Sequence, residues 1–147
     1  MNILGINTEK RKLGSLGEDE AARYLKKKGY KILERNYAPF DSEIDIIAKD
    51  RVETVFIEVK TRSTDKSDPR ETRPASAITP EKMRAIISAA KVYMAYHPEH
   101  GKLRFDVVEV YVRSEGGKTK VERINHIEGA FNNNTAHPSR FSKRYRG

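Results

Sequence analysis

The chain reads as one α/β domain, and three observations carry that reading. Two short β-rich runs joined by a tight connection form an antiparallel hairpin, a capped amphipathic helix follows them, and a long β-rich run follows the helix. Strand, helix, strand is a crossover unit, so Leu103 to Val112 is expected to run parallel to Thr54 to Lys60. With 147 residues, 37% of them hydrophobic, the chain has the material for one core of ordinary size.

The elements follow in order. Ser15 with Glu18 three residues on has the form of a capping box, and Ala21, Ala22 and Leu25 continue it as an apolar stripe, which predicts a helix over Ser15 to Lys28 closed by Gly29. Tyr30 to Tyr37 reads as a strand, and Ala38-Pro39-Phe40-Asp41 as a loop. Glu43 to Lys49 and Thr54 to Lys60 are the hairpin. Thr61 to Ala77 is too polar to pack and is expected to be a mobile loop beside the hairpin's end. Thr79 as N-cap and Pro80 at the first helical position open a second helix, in which Met83, Ile86, Ile87, Ala90 and Met94 share one face; it is expected to stop near Tyr96. Leu103 to Val112 and Thr119 to Ile127 are strands separated by a Gly116-Gly117 turn. The organisation expected is an N-terminal extension over 1–13, a domain over 14–128 and a flexible basic tail over 129–147.

Charge and cysteine content bound the function. Twenty-nine Lys and Arg against 21 Asp and Glu leave a net +8, which favours a polyanionic partner, nucleic acid first. No apolar run approaches a membrane span and no signal-peptide core precedes Lys12, so a cytoplasmic protein without a membrane partner is expected. The absence of cysteine removes disulfides, thiolate zinc sites and cysteine nucleophiles together. His97, His100, His126 and His137 show no zinc-site spacing and are expected to be structural or exposed.

The hairpin carries the chemistry. Side chains alternate across a strand, so Glu43 and Asp45 share one face, Glu58 and Lys60 share one face, and Ile44 and Ile46 oppose Val55, Ile57 and Val59 on the other. A connection centred between Arg51 and Val52 places Asp45 opposite Glu58, with Cβ atoms roughly 5 Å apart, and Glu43 opposite Lys60. Two carboxylates directly opposite one another destabilise a sheet unless a cation sits between them or one is protonated. The pattern therefore suggests a divalent ion, and hard oxygen ligands suit Mg²⁺ or Mn²⁺. Lys60 beside Glu58 is placed to orient an attacking water and offset transition-state charge, the chemistry of a metal-dependent phosphodiesterase. The plain alternative is a half-exposed hairpin whose acids and lysines form cross-strand ion pairs.

Gly14-x-x-Gly17-Glu18-x-x-Ala21, Gly29-Tyr30, Arg35-Asn36, Glu43-Ile44-Asp45-Ile46-Ile47-Ala48, Phe56-Ile57-Glu58-Val59-Lys60-Thr61-Arg62 and Arg104-Phe105-Asp106-Val107-Val108 resemble the YraN family of uncharacterised bacterial proteins. The same motifs look like those of archaeal Holliday-junction resolvases and, more widely, of the restriction-endonuclease-like fold with its PD-(D/E)xK site. That resemblance implies a core of helix, three-stranded antiparallel meander, crossover helix and further strands in a mixed sheet. It implies Asp45 and Glu58 as metal ligands, Glu18 as a further carboxylate reaching the metal, Lys60 as the catalytic lysine and Glu43 as a partner supporting the ligands. The activity it implies is an endonuclease dependent on Mg²⁺ or Mn²⁺, acting on DNA in preference to RNA, and junction-cleaving proteins of this kind act as homodimers. Arg62, Lys82, Arg84, Arg140, Lys143, Arg144 and Arg146 are the candidates for backbone phosphate contacts. A non-catalytic nucleic-acid-binding module on the same fold is the competing expectation.

Overall fold

The computed structural model describes residues 3–64 and 78–137, with side chains from Lys12 onward. Five strands form one mixed sheet in sequence order: β1 (Lys31–Tyr37), β2 (Ile44–Lys49), β3 (Glu53–Ser63), β4 (Lys102–Glu115) and β5 (Lys118–Phe131). Among the described residues β3 and β4 alone pair in parallel, and the helix α2 (Pro80–Tyr96) lies in the connection between them, as the crossover pattern required. The hairpin register is also as expected, with Ile46 opposite Ile57 and Ala48 opposite Val55. Asp50 makes the tight turn by accepting the amides of Val52 and Glu53, which spares both donors a loss of partner in the connection.

Helices cover both faces of the sheet. On one side Ala21, Ala22 and Leu25 of α1 (Ile3–Lys27) pack on Ile46, Ile57, Val108 and Val110. On the other, Ile86, Ala90 and Tyr93 of α2 pack on Ile47, Phe56, Phe105 and Phe131. A central sheet covered on both faces explains why β3 and β4 read as near-continuous apolar runs. Helix α2 begins where its sequence says: Thr79 accepts the amide of Lys82 at 3.1 Å and Pro80 needs no partner at the first position. Among the described residues no helix is long and apolar enough to cross a membrane.

Four expectations are corrected. Helix α1 starts at Ile3, so Ser15 lies in its interior and no capping box exists there; Glu18 is free of that duty. Ile44 turns to the α2 side with Ile47 while Ile46 faces α1. The β2–β3 pairing begins only at Ile46, so the pleat does not constrain the residues before it. Strand β5 continues through Gly129 to Phe131 where a flexible tail was expected. Asn132 then caps a short helix α3 (Asn133–Ala136) with a reciprocal capping box. Most of the polar loop after Thr61, and with it the expectation of mobility, lies outside the described residues, as do Arg140, Lys143, Arg144 and Arg146.

Candidate metal centre

The hairpin's open end meets the middle of α1 and the first turn of α2. Close approach of α1 depends on Gly17, whose missing side chain leaves room for the Thr61 hydroxyl on β3; a methyl group there would overlap it. One residue on, Glu18 reaches Asp45 on β2. Asp45 is fixed by its own backbone surroundings, since its Oδ2 accepts the Val59 amide at 2.7 Å. That bond takes the place of a ladder bond where regular pairing has stopped. Glu58, buried beside Asp45 on β3, completes a line of three carboxylates.

These acids repel one another in a poorly solvated place. Burial and the charge of Asp45 push both Glu18 and Glu58 up to about 7. Burial also raises Asp45, although the Val59 amide holds it down in part. Lys82 and Lys60 ease the charge on Glu58 without removing the effect. Glu58 Oε2 is fully enclosed and no N–H or hydroxyl donor among the described residues reaches it; Glu58 has a hydrogen bond with Asp45 only when one of the two carboxyls is protonated. An enclosed, unpartnered carboxylate oxygen costs on the order of 1–3 kcal/mol and more when charged. The donor set is all oxygen, so a hard divalent ion such as Mg²⁺ or Mn²⁺ would fit it and would supply both a partner and a positive charge.

Lys60 Nζ lies 3.6 Å from Glu58 Oε1 and its side chain is 39% exposed, so it reaches solvent from the carboxylate line. The cross-strand pair expected between Glu43 and Lys60 is not formed; Glu43 instead has a carboxylate oxygen within 4.8 Å of Glu18 and Asp45. The site opens into a cleft of about 380 Å³ lined by Leu13, Gly14, Glu18, Asp45, Glu58 and Lys60 among others.

Two residues join this cluster that the sequence reading did not assign to it. Asn36 sits at φ 55°, a left-handed conformation that asparagine tolerates better than most residues. With its amide nitrogen turned inward it donates to Glu43 Oε1 at 2.9 Å and Glu18 Oε2 at 3.1 Å. Lys82, a sequence candidate for phosphate contact, faces the carboxylates closely enough to lower both Asp45 and Glu58. The signals were present in the sequence, an asparagine at a strand end and a lysine in a first helical turn, but both are common without function.

A search against family profiles places residues 17–110 of this chain within a family described as uncharacterised protein family UPF0102. The chain belongs to that family. A UPF0102 protein of Caldanaerobacter subterraneus is 42% identical over 83% of this chain and 96% of its own length. One from Prosthecochloris aestuarii is 46% identical over 81% of this chain and 92% of its own, and one from Syntrophomonas wolfei is 44% identical over 82% and 98%. The resemblance to YraN is thereby borne out, and these UPF0102 relatives are bacterial. Every carboxylate of the cluster, Asn36, Lys60 and Lys82 fall within the span that matches UPF0102.

Two further basic candidates among the described residues have partners elsewhere in the chain. Arg62 donates through Nε to the buried Glu109 at 2.9 Å and is only 11% exposed, so its role is to pair that acid. Arg84 is exposed but donates to the Ala136 carbonyl at 2.8 Å, tying α2 to α3.

Proposed function

We propose that this UPF0102 protein is a Mg²⁺- or Mn²⁺-dependent endonuclease that hydrolyses phosphodiester bonds in DNA. The observation that carries the reading is the buried Glu58 Oε2, unpartnered beside Asp45 and Glu18 with Lys60 at the mouth. Asp45, Glu58 and Glu18 are the residues to hold the ion, and the Asn36 amide, donating to both Glu18 and Glu43, keeps Glu18 oriented. When bound, the ion supplies Lewis-acid polarisation of a phosphate oxygen and a more acidic water. Lys60 orients the attacking water and offsets the charge that grows on the phosphate, and Lys82 adds a second fixed cation behind the acids.

The order of helix, antiparallel meander, crossover helix and parallel strand supports assigning the restriction-endonuclease-like fold. The likeness of the motifs to junction resolvases makes branched DNA the first substrate and a homodimer the first assembly to test. The test is a labelled panel of duplex, single-stranded, flap, four-way-junction and RNA substrates in Mn²⁺, run with the wild type and Lys60→Ala. The expected result is cleavage by the wild type, with Lys60→Ala retaining binding but losing turnover by at least about 100-fold. Equal turnover in the variant contradicts the assignment. Binding without cleavage by either points to the non-catalytic module.

A further inference from the structure

The exit of α2 carries a second cluster of metal-ligand chemistry, at the far end of that helix from the carboxylates. Thr79 starts α2 and Tyr96 ends it, so a side chain at residue 97 lies about 20 Å from the first turn that holds Lys82. Pro98 has no amide hydrogen with which to continue the helix, and the chain tightens into a 3₁₀ turn over Pro98–His100. The His100 amide donates to the His97 carbonyl at 3.1 Å. In a turn of three residues per revolution, positions i and i+3 eclipse, which puts His97 and His100 on one edge with Glu99 between them.

Both rings are held before any ligand arrives. His97 stacks on the buried ring of Tyr93 at 4.2 Å between centroids, and His100 lies nearly parallel to the same ring at 6.0 Å. Glu99 Oε1 is 3.5 Å from His97 Nδ1 and 3.6 Å from His100 Nε2. Those separations are long for hydrogen bonds and near the edge of a tetrahedron, about 3.3 Å, whose centre is a zinc ion about 2.0–2.1 Å from each ligand. One ligand atom from each of the three residues lies within 4.8 Å of the others.

Ligation would use His100 Nε2, the nitrogen that faces Glu99, and would leave the ring proton on Nδ1, which is enclosed without a hydrogen-bond partner among the described residues, a cost the metal bond has to exceed. We infer that His97, Glu99 and His100 form a site for one borderline transition-metal ion of the Zn²⁺ class, with a fourth position left open. Two imidazoles and one carboxylate prefer such an ion over Mg²⁺, so the two ends of α2 select different metals. The inference stands apart from the nuclease reading, because none of its residues belongs to the carboxylate cluster.

The probe is Co²⁺, whose visible absorption reports nitrogen ligation, added to the untagged full chain. The background is Asp45→Asn, which disables the carboxylate cluster. One equivalent is expected to bind with visible d–d bands, to be displaced by Zn²⁺ and to be unaffected by millimolar Mg²⁺. His97→Gln and His100→Gln are each expected to weaken binding at least about tenfold. His137→Gln is expected to leave it unchanged. Absence of the bands, or binding unchanged in both His97→Gln and His100→Gln, overturns the site. Circular dichroism of each variant separates loss of the ion from loss of the fold.

Discussion

Two groups of acids are buried in the same sheet in opposite electrostatic situations. Asp106 on β4 is completely enclosed and fully supplied. Arg104 donates to it through Nε at 2.9 Å and Nη2 at 3.0 Å, the Gly129 amide reaches it at 2.9 Å, and His126 Nε2 lies 2.7 Å away. These partners hold its carboxyl below the ordinary range despite its burial. Arg104 also binds Asp50, Glu53 and the Tyr30 hydroxyl, so the network ties the hairpin turn and the end of α1 to β4. Glu58, two strand positions from the hairpin's apolar centre, has acid neighbours, an unpartnered oxygen and a carboxyl raised to about 7. Burial alone therefore does not mark a site. A buried acid with its donors in place is structure, whereas a buried acid facing other acids carries a repulsion that the proposed cation would relieve.

The contrast can be broken most forcefully on the satisfied side. Asp106→Ala leaves Arg104 and His126 enclosed with their main acceptor gone, and is expected to cost about 3–5 kcal/mol in denaturant unfolding. A cost under ~1 kcal/mol would remove the distinction between the two groups. On the other side the sign reverses: Glu58→Gln is expected to stabilise the metal-free protein at pH 8 by about 1–3 kcal/mol and to do nothing at pH 4.

The same difference sets the pH profile of the metal-free wild type. Glu18 and Glu58 have folded values raised from 4.5 to about 7, so the folded state prefers them protonated and stability falls as pH rises through that window. Asp106 and Asp50 are lowered from 3.8, so their contribution is present above that value and is lost as pH falls through their folded values. Stability by thermal melting is expected to peak near pH 4–5 and decline toward pH 8, with Glu58→Gln flattening the decline. A profile that rises from pH 5 to 8 would contradict the assignment of repulsion to the cluster. The smallest effect is expected from Gly17→Ala, about 1–2 kcal/mol from overlap with Thr61, together with weaker ion binding as Glu18 is pushed away.

Much of this was legible because local rules agreed with one another. The Thr79-Pro80 start, the parallel pairing of β3 with β4 and the hairpin register follow from caps, a crossover pattern and the centre of a tight turn. The hairpin's centre also places Asp45 near Glu58, although the regular ladder stops one residue short of that pair. Failures arose where a local pattern had a competing tertiary use. Ser15 and Glu18 have capping-box spacing, but α1 runs on to Ile3 and the glutamate serves the cluster. Strict alternation misplaced Ile44 because regular pairing stops at Ile46. The pairing of Asp106 with His126, and of Arg62 with Glu109, joins residues 20 and 47 positions apart, a distance no short-range pattern carries.

The most direct test is calorimetric titration of Mg²⁺ into the wild type and Glu58→Gln at pH 8, where the carboxylates are ionised and the histidine-containing cluster at the end of α2 has little affinity for this ion. Saturable binding by the wild type that is lost in Glu58→Gln, with the fold retained, is the expected result. Binding that is absent in the wild type, or equal in the two proteins, would show that the buried carboxylates are not a cation site.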